Sequence, residues 1–353
     1  MHVLMSVILV VSSPMGGEIC EHADAILAHQ LEDGAIVHVE NGDEITIEPY
    51  FANYSALGLF EAYRLTREQK YLDAGIAWMD WYFKHMGANG AVCNYAGTRA
   101  DYRPTVLSES TDATAATFLM CANMRRLLTR DLRYILREQS NLWKTYMLMV
   151  STADVDGLTY AKADYPHKFT MNNAEVYEGM WHARQIARTL RDYSWNRRVY
   201  YARHKLEDGF AGLRGPDAFY AWGETNTGAA LTTAQAADFY PAGVANLAAV
   251  ALGPVKKCKA RKTLDATYQR YPEIGACAPD HLYWWVAAAV RVNRRQIGQQ
   301  ALEAFRQKAD ERGLAVDHAL YIRALSLVHM GRPNWPGVPM GSTFAHAPRQ
   351  AVR

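Results

Sequence analysis

The sequence lacks the short motifs that usually reveal a cofactor or an activated nucleophile. It contains no G-x-S-x-G elbow, no phosphate-binding P-loop and no G-x-G-x-x-G dinucleotide fingerprint. Its cysteines include no C-x-x-C pair, so they predict reduced thiols and neither a zinc site nor a disulfide framework. We therefore expect no metal and no organic cofactor. The five cysteines are Cys20, Cys93, Cys121, Cys258 and Cys277.

Long apolar runs and an excess of one charge are also missing. No segment approaches the ~18 consecutive apolar residues of a membrane span. A formal net charge of +2 argues against a nucleic-acid partner, since such proteins show a basic excess or patch. Residues Val3 to Val11 form a short apolar run that resembles an export signal, but no Lys or Arg precedes it. Export and a cytoplasmic location both stay open, and the sequence does not reveal an oligomeric state.

What the sequence does contain is a pattern that occurs six times. A stretch rich in Asp, Asn, Glu, Tyr and Trp precedes an apolar helical stretch rich in small residues, and an amphipathic helix follows the first five. The pattern predicts an all-α fold, an (α/α)6 toroid of six helical hairpins with short β-hairpins in its loops. The apolar helices are expected to begin near Glu48, Ser110, Thr170, Asp238, Asp280 and Asp317.

The predicted toroid spans residues 15–335, after a possible export signal or extension over 1–14 and before an irregular tail over 336–353. Its last apolar helix, Asp317 to Met330, has no amphipathic successor. We expect it to pair with the first helix, Glu18 to Leu31, so that the two ends of the chain close the ring. The other helix pairs are Glu48 to Leu65 with Tyr71 to Met86, Ser110 to Thr129 with Leu132 to Met149, Thr170 to Leu190 with Asp192 to Leu206, Asp238 to Leu252 with Val255 to Tyr271, and Asp280 to Asn293 with Arg295 to Arg312.

Acidic residues at the starts of the apolar helices are the candidate catalytic groups. An Asp at a helix N-terminus is most often a cap, but in a ring all six such ends converge on one funnel. Asp112 has small neighbours, and Glu175 lies on an apolar helix where desolvation raises a carboxyl pKa. We expect these two to form an acid/base pair, with Asp164 or Asp238 as alternatives.

Polar and aromatic side chains near the same helix starts are the candidate sugar-binding groups. Asn, Asp and Glu pair with sugar hydroxyls, while aromatic faces stack on sugar C–H groups. The alternative is a buried polar network that holds the toroid together. Asp154, Asp156 and Gly157 look like the start of a calcium loop, but the remaining ligands are absent. The candidates are Tyr50, Asn53, Tyr160, Lys162, Asn172, Asn173, Trp222, Tyr240, Asp280, His281 and Trp284.

Five stretches of the chain resemble the six-hairpin glycosidase superfamily. The resemblance implies a carbohydrate substrate, a cleft at the wide end of the toroid and acid/base catalysis by carboxylates. An acidic residue is expected shortly after Tyr240 in similar proteins, but Ala242 stands here. A glycoside hydrolase is the leading interpretation. A non-catalytic sugar-binding toroid, or a lyase or epimerase with His281 or Tyr165 as base, stays open. The matching stretches are Pro49 to Ala56, Trp78 to Met86, Asp112 to Leu119, Asp156 to Lys162 and Asn172 to Tyr177.

Overall fold

A computed structural model of the protein describes residues 14–232 and 238–330. Over these residues the chain forms thirteen α-helices arranged as an inner and an outer ring. The inner helices are α2 (Pro49–Thr66), α4 (Thr111–Thr129), α7 (Thr170–Thr189), α9 (Ala242–Ala251), α11 (Pro279–Val292) and α13 (Ala315–Met330). The outer helices are α1 (Pro14–Ala28), α3 (Gln69–Lys84), α5 (Leu132–Arg137) with α6 (Gln139–Val150), α8 (Tyr193–Gly212), α10 (Lys257–Arg270) and α12 (Arg295–Lys308).

The inner helices form a closed ring. Each packs against the next one along the chain, and α13 packs against α2, while α1 covers the seam between them. Close approach at this seam depends on Gly58, because a Cβ there would lie 2.5 Å from the Cα of Ala319. The six-hairpin toroid and the closure by the two chain ends are therefore as the sequence predicts.

Composition explains which helices lie inside. The inner helices are surrounded by two ring neighbours and an outer helix, so they are apolar on nearly every face. All ten residues of α9 are buried, and in α4 the burial is continuous from Thr111 to Arg125. The outer helices are amphipathic instead: α12 buries Ile297, Phe305 and their neighbours and exposes its charged side chains.

Several helix boundaries differ from the sequence prediction by up to six residues, as at the end of α8, which extends to Gly212 and not to Leu206. The outer helix expected over Leu132 to Met149 is interrupted at Glu138, between α5 and α6. The helix expected from Asp238 begins at Ala242, because Pro241 disfavours helical backbone at the residue before it. Almost all of the predicted N-terminal segment and the whole predicted C-terminal tail lie outside the described residues.

Two small antiparallel sheets lie in the loops before four of the inner helices. The first has the order β1 (Val39–Asn41), β2 (Glu44–Ile47), β3 (Cys93–Gly97), β4 (Tyr102–Leu107), and the second β5 (His167–Phe169), β6 (Gly223–Thr225), β7 (Ala230–Leu231). Because β2, β4 and β5 lead into α2, α4 and α7, the sheets fix the N-terminal ends of these helices. Across the two described ranges, no helix combines the length and the hydropathy that a membrane crossing requires.

Candidate functional site

The structure brings Asp112 and Glu175 together on neighbouring inner helices. Asp112 is the second residue of α4, and Glu175 lies one turn inside α7. Both side chains are 0% exposed. The negative charge of Asp112 is one of the influences that raise the pKa of Glu175, so the two carboxyl groups interact electrostatically. The two residues thus lie within electrostatic reach of each other, and their catalytic role stays a prediction.

Asp112 accepts hydrogen bonds on both of its carboxylate oxygens. Oδ2 accepts from the hydroxyl of Thr159 at 2.7 Å, and Oδ1 accepts from Asn172 Nδ2 at 3.2 Å and from the backbone N–H of Ala113 at 2.7 Å. Burial raises the pKa of Asp112 to about 7, against the lowering effect of these hydrogen bonds. Because the amide groups can only donate, this arrangement suits the ionised form.

Glu175 has an asymmetric environment. Its Oε1 accepts hydrogen bonds from Tyr50, at 2.8 Å, and from Tyr54. Its Oε2 is buried and has no hydrogen-bond partner within the described residues. Burial raises the pKa of Glu175 to about 8, although the two tyrosines oppose the shift. At neutral pH the group is therefore mainly protonated, and the unpartnered Oε2 is the natural position of the proton.

The cluster extends onto α11 and α13 through aromatic rings and an arginine. Trp284 meets Tyr54 edge to face at 6.5 Å between ring centroids. The guanidinium of Arg323 lies 5.4 Å from the centroid of the Tyr54 ring and 5.0 Å from that of Tyr283. Arg323 also lowers the pKa of Glu175. Arg323 and Tyr54 are not among the site residues predicted from the sequence, although an Arg inside an apolar helix and a Tyr one turn after Tyr50 are signals that could have identified them.

Asp280 and His281, at the start of α11, lie within electrostatic reach of this cluster. The charge of Asp280 contributes to raising the pKa of Tyr50. Asp280 is 2.8 Å from Arg312 and 3.7 Å from His281 Nε2. The ring of Tyr240, which is largely exposed, stacks on His281 with an interplanar angle of 2°. These side chains supply polar and aromatic groups at the N-terminal end of α11.

Two of the amides predicted to bind sugar, those of Asn53 and Asn173, form hydrogen bonds with neighbouring backbone and side chains. Asn53 donates to the Thr114 carbonyl and to Thr117, and it accepts from the indole N–H of Trp78. Asn173 in turn clamps the backbone on both sides of its own helix start: Nδ2 donates to the carbonyls of Thr159 and Phe169, and Oδ1 accepts from the Thr159 N–H and hydroxyl. Both side chains are fully buried between packed elements. These contacts are those of the alternative, a buried polar network, and the predicted role of both amides in sugar binding stays a prediction.

A separate cluster around Lys168 occupies the segment that resembles a calcium loop. The buried ammonium group lies 2.8 Å from Asp154 Oδ2, 2.7 Å from Asp156 Oδ2 and 3.3 Å from Glu224 Oε1. Tyr160, a predicted sugar-binding residue, donates its hydroxyl to Asp154 at 2.8 Å. The Lys168 ammonium is thus the counter-ion of these carboxylates, and Tyr160 belongs to that cluster.

The remaining candidates lie outside the Asp112–Glu175 cluster. Lys162 and Asp164 form a 3.7 Å ion pair beside a groove of about 420 Å³, and the Asp164 side chain is 81% exposed. Trp222 stacks on Phe169 at 5.8 Å, next to the second sheet. Asp238 is exposed. Water solvates the carboxylates of Asp164 and Asp238, so the structure favours Asp112 and Glu175 over these two alternatives.

The fold matches known carbohydrate-related structures, whereas the sequence matches no protein-family model and no curated protein. A glycosidase variant in complex with glucose aligns with a TM-score of 0.65 at 11% identity, over 88% of this chain and 95% of that chain. An inactive α-1,6-mannanase variant from Salegentibacter sp., in complex with α-1,6-mannotriose, aligns with a TM-score of 0.58 at 12% identity, over 89% and 99%. A D-mannose isomerase aligns with a TM-score of 0.58 at 11% identity, over 88% and 96%. The six-hairpin glycosidase-like fold predicted from the sequence is thereby confirmed.

Proposed function

We propose that this chain is a glycoside hydrolase in which Glu175 is the general acid and Asp112 the second carboxylate. The observation that carries the proposal is the unequal state of the two groups. Burial raises the pKa of Glu175 to about 8, and its Oε2 has no hydrogen-bond partner among the described residues, whereas Asp112 is held by donors that suit its ionised form. Pairs of carboxyl groups whose environments separate their roles in this way are characteristic of acid/base catalysis.

Glycosidic cleavage needs both roles. The acid protonates the leaving oxygen as the C–O bond breaks, and the second carboxylate either activates water or attacks the sugar carbon. A proton on Oε2 of Glu175 would meet no competing acceptor in the described part of the chain, so a glycosidic oxygen that approaches it would receive a hydrogen bond. Asp112 would then serve as general base or as nucleophile. Inversion of configuration in the product would indicate a base, and retention would indicate a nucleophile.

The surroundings suit a sugar more than a purely apolar ligand. The aromatic rings of Tyr50 and Tyr54 lie beside Glu175 with Trp284 packed on Tyr54, and Asn172 and Asp280 add polar groups of the kind that bind hydroxyls. Glucose and mannotriose are the ligands named for two proteins of the same fold. We therefore propose a carbohydrate substrate bound at the funnel mouth formed by the N-terminal ends of the inner helices.

Two isosteric substitutions test the assignment. Glu175→Gln and Asp112→Asn are assayed with the wild type against a panel of α- and β-linked oligosaccharides, with reducing-end analysis of the products. Loss of either carboxyl group should lower turnover by about 100-fold to 10,000-fold. Asp164→Asn is the matched control, because this exposed carboxylate lies outside the cluster, and it should turn over like the wild type. Wild-type turnover in both cluster variants would remove the assignment.

A sugar-binding toroid without catalysis is the second candidate, and the complete burial of both carboxyl groups favours it. A sugar reaches Glu175 only if a covering side chain such as Tyr50 moves. This function predicts that an oligosaccharide raises the melting temperature without being shortened. Detection of shortened chains in the panel assay rules it out.

A further inference from the structure

Two histidines and an aspartate meet where the first and last helices of the toroid pack together. Nδ1 of His22, on α1, lies 2.8 Å from Nδ1 of His318, on α13, although the two residues are 296 positions apart. Oδ1 of Asp310, in the turn after α12, lies 3.5 Å from Nδ1 of His318 and 4.0 Å from Nδ1 of His22. These three atoms form the one group of potential metal ligands found within the described residues.

The burial of the three side chains differs in a way that suits metal binding. Both histidines are buried, whereas Asp310 is 77% exposed at the surface end of the cluster. A neutral imidazole offers the lone pair that a metal needs. The exposed aspartate leaves a route from solvent and adds a negative charge.

We propose that His22, His318 and Asp310 form a binding site for a divalent transition-metal ion of the Zn²⁺ type. Two imidazole nitrogens with one carboxylate oxygen suit Zn²⁺, Co²⁺ or Ni²⁺, while Ca²⁺ and Mg²⁺ prefer oxygen ligands alone. A fourth position is left for water. The site is distinct from the Asp112–Glu175 cluster and does not depend on the proposed hydrolase function.

The ligand atoms need only a small adjustment to accept the ion. Bonds of about 2.0–2.1 Å in a tetrahedral site put two nitrogens about 3.3 Å apart, so the imidazoles would separate by roughly 0.5 Å. Both rings then carry their proton on Nε2, and the hydrogen bond between the Nδ1 atoms is replaced by two metal bonds. The surrounding charged and titratable groups are Glu18 and Glu21 near His22 and His29 near His318, and Tyr321 packs edge-on against His22 at 4.6 Å.

The position of the site gives it a structural role. It joins a residue from each end of the described chain to the turn after α12, at the seam that closes the ring. A metal that binds the folded state and not the unfolded state raises the stability of the protein. We expect the bound ion to cross-link the first helix, the last helix and the turn after the penultimate helix, and so to stabilise their packing.

Calorimetric titration with Zn²⁺, after removal of metal by a chelator, tests the proposal. The wild type should bind one equivalent with a rise in melting temperature, and bound Co²⁺ should give the intense visible absorption of tetrahedral coordination. His318→Asn should abolish tight binding. Asp310→Asn, an exposed change that the fold tolerates, should weaken binding by about tenfold or more. His204→Asn, an exposed histidine on α8, is the control and should bind like the wild type.

Equal Zn²⁺ affinity and stoichiometry in the wild type and Asp310→Asn would overturn the proposal, as would octahedral Co²⁺ spectra. Binding that is lost in the His204→Asn control would also contradict it, since the ion would then be held at a different surface.

Discussion

The hydroxyl of Tyr50 donates a 2.8 Å hydrogen bond to Oε1 of Glu175. Tyr50 is partly exposed whereas Glu175 is fully buried, so the phenol connects the buried carboxyl group with the open side of the toroid. Tyr54 donates to the same oxygen. With Oε1 engaged twice, the carboxyl proton belongs on Oε2, and this is the feature on which the proposed acid chemistry depends.

The pH profile of activity should be narrow and centred between pH 7 and 8. Catalysis requires Asp112 ionised, which happens above its pKa of about 7, and Glu175 protonated, which holds below its pKa of about 8. Because the two carboxyl groups interact, the two apparent pKa values of the pH profile are properties of the pair and not of either residue alone. The measurement is kcat/KM against pH for whichever oligosaccharide the panel identifies. A single plateau extending from pH 4 to 7 would contradict the assignment.

Tyr50→Phe should move the basic limb to higher pH. The lost hydrogen bond favours the ionised form of Glu175, so its removal raises the Glu175 pKa, by about one unit. Tyr177→Phe is the matched control, because Tyr177 lies on the same helix but donates to Glu207. A limb that stays in place in Tyr50→Phe, or that moves in Tyr177→Phe, would show that the phenol does not tune this carboxyl group.

Glu175→Gln should flatten part of the dependence of stability on pH. The folded-state pKa of Glu175 is raised, so the native state keeps a proton that the unfolded state loses as pH increases from about 4.5 to about 8. The free energy of unfolding of the wild type therefore falls over this window, by about 1.4 kcal/mol for each unit of pKa difference. Glutamine does not ionise. Urea titrations of both proteins at pH 5 and pH 9 should show the variant gaining relative stability at the higher pH. An equal change in both proteins would mean that Glu175 is not neutral when folded.

Lys168→Met should destabilise the fold. The substitution leaves Asp154, Asp156 and Glu224 without their shared counter-ion, and the partial exposure of these carboxylates limits the loss to about 1–3 kcal/mol. Lys70→Met is the control, since the Lys70–Asp24 pair is exposed and should cost less than about 1 kcal/mol. Chemical denaturation compares the two. An equal loss of unfolding free energy in Lys168→Met and Lys70→Met would show that the Lys168 cluster contributes no more to stability than a surface ion pair.

Two glycine-to-alanine substitutions probe the closure of the ring. In Gly58→Ala the new methyl group meets the Cα and Cβ of Ala319 at 2.5 Å, so α2 and α13 must separate, at a cost of about 1–3 kcal/mol. In Gly298→Ala, on outer helix α12, the methyl group makes an ordinary 3.5 Å contact. Because alanine has a higher helix propensity than glycine, Gly298→Ala should then stabilise the folded protein by up to about 1 kcal/mol. Thermal denaturation should give shifts of opposite sign. A neutral Gly58→Ala would mean that the seam is not tightly packed.

Helical periodicity was sufficient to predict the toroid. Apolar stretches bounded by caps and breakers specify each helix locally, and short connections force neighbouring helices to pair. Asp112 and Glu175 could be predicted as partners because both follow the start of an inner helix. The helix start near Asp238 was wrong because the effect of Pro241 on the preceding residues was not taken into account.

The rest of the site could not be predicted because it depends on contacts between distant helices. An amide on an inner helix looks the same in sequence whether it binds a sugar or a neighbouring backbone, so the backbone contacts of Asn53 and Asn173 could not be predicted. Arg323 approaches Glu175 only because α13 returns beside α2. His22 and His318 meet for the same reason, and no local pattern links residues 296 positions apart.

The most direct measurement is a crystal structure of Glu175→Gln with the oligosaccharide that gives the largest thermal stabilisation. The account predicts that the glycosidic oxygen lies within about 3.2 Å of the side-chain amide at position 175, with the adjacent anomeric carbon facing Asp112. An oligosaccharide bound instead in the groove beside Lys162 and Asp164, with none of its atoms near position 175, would contradict it.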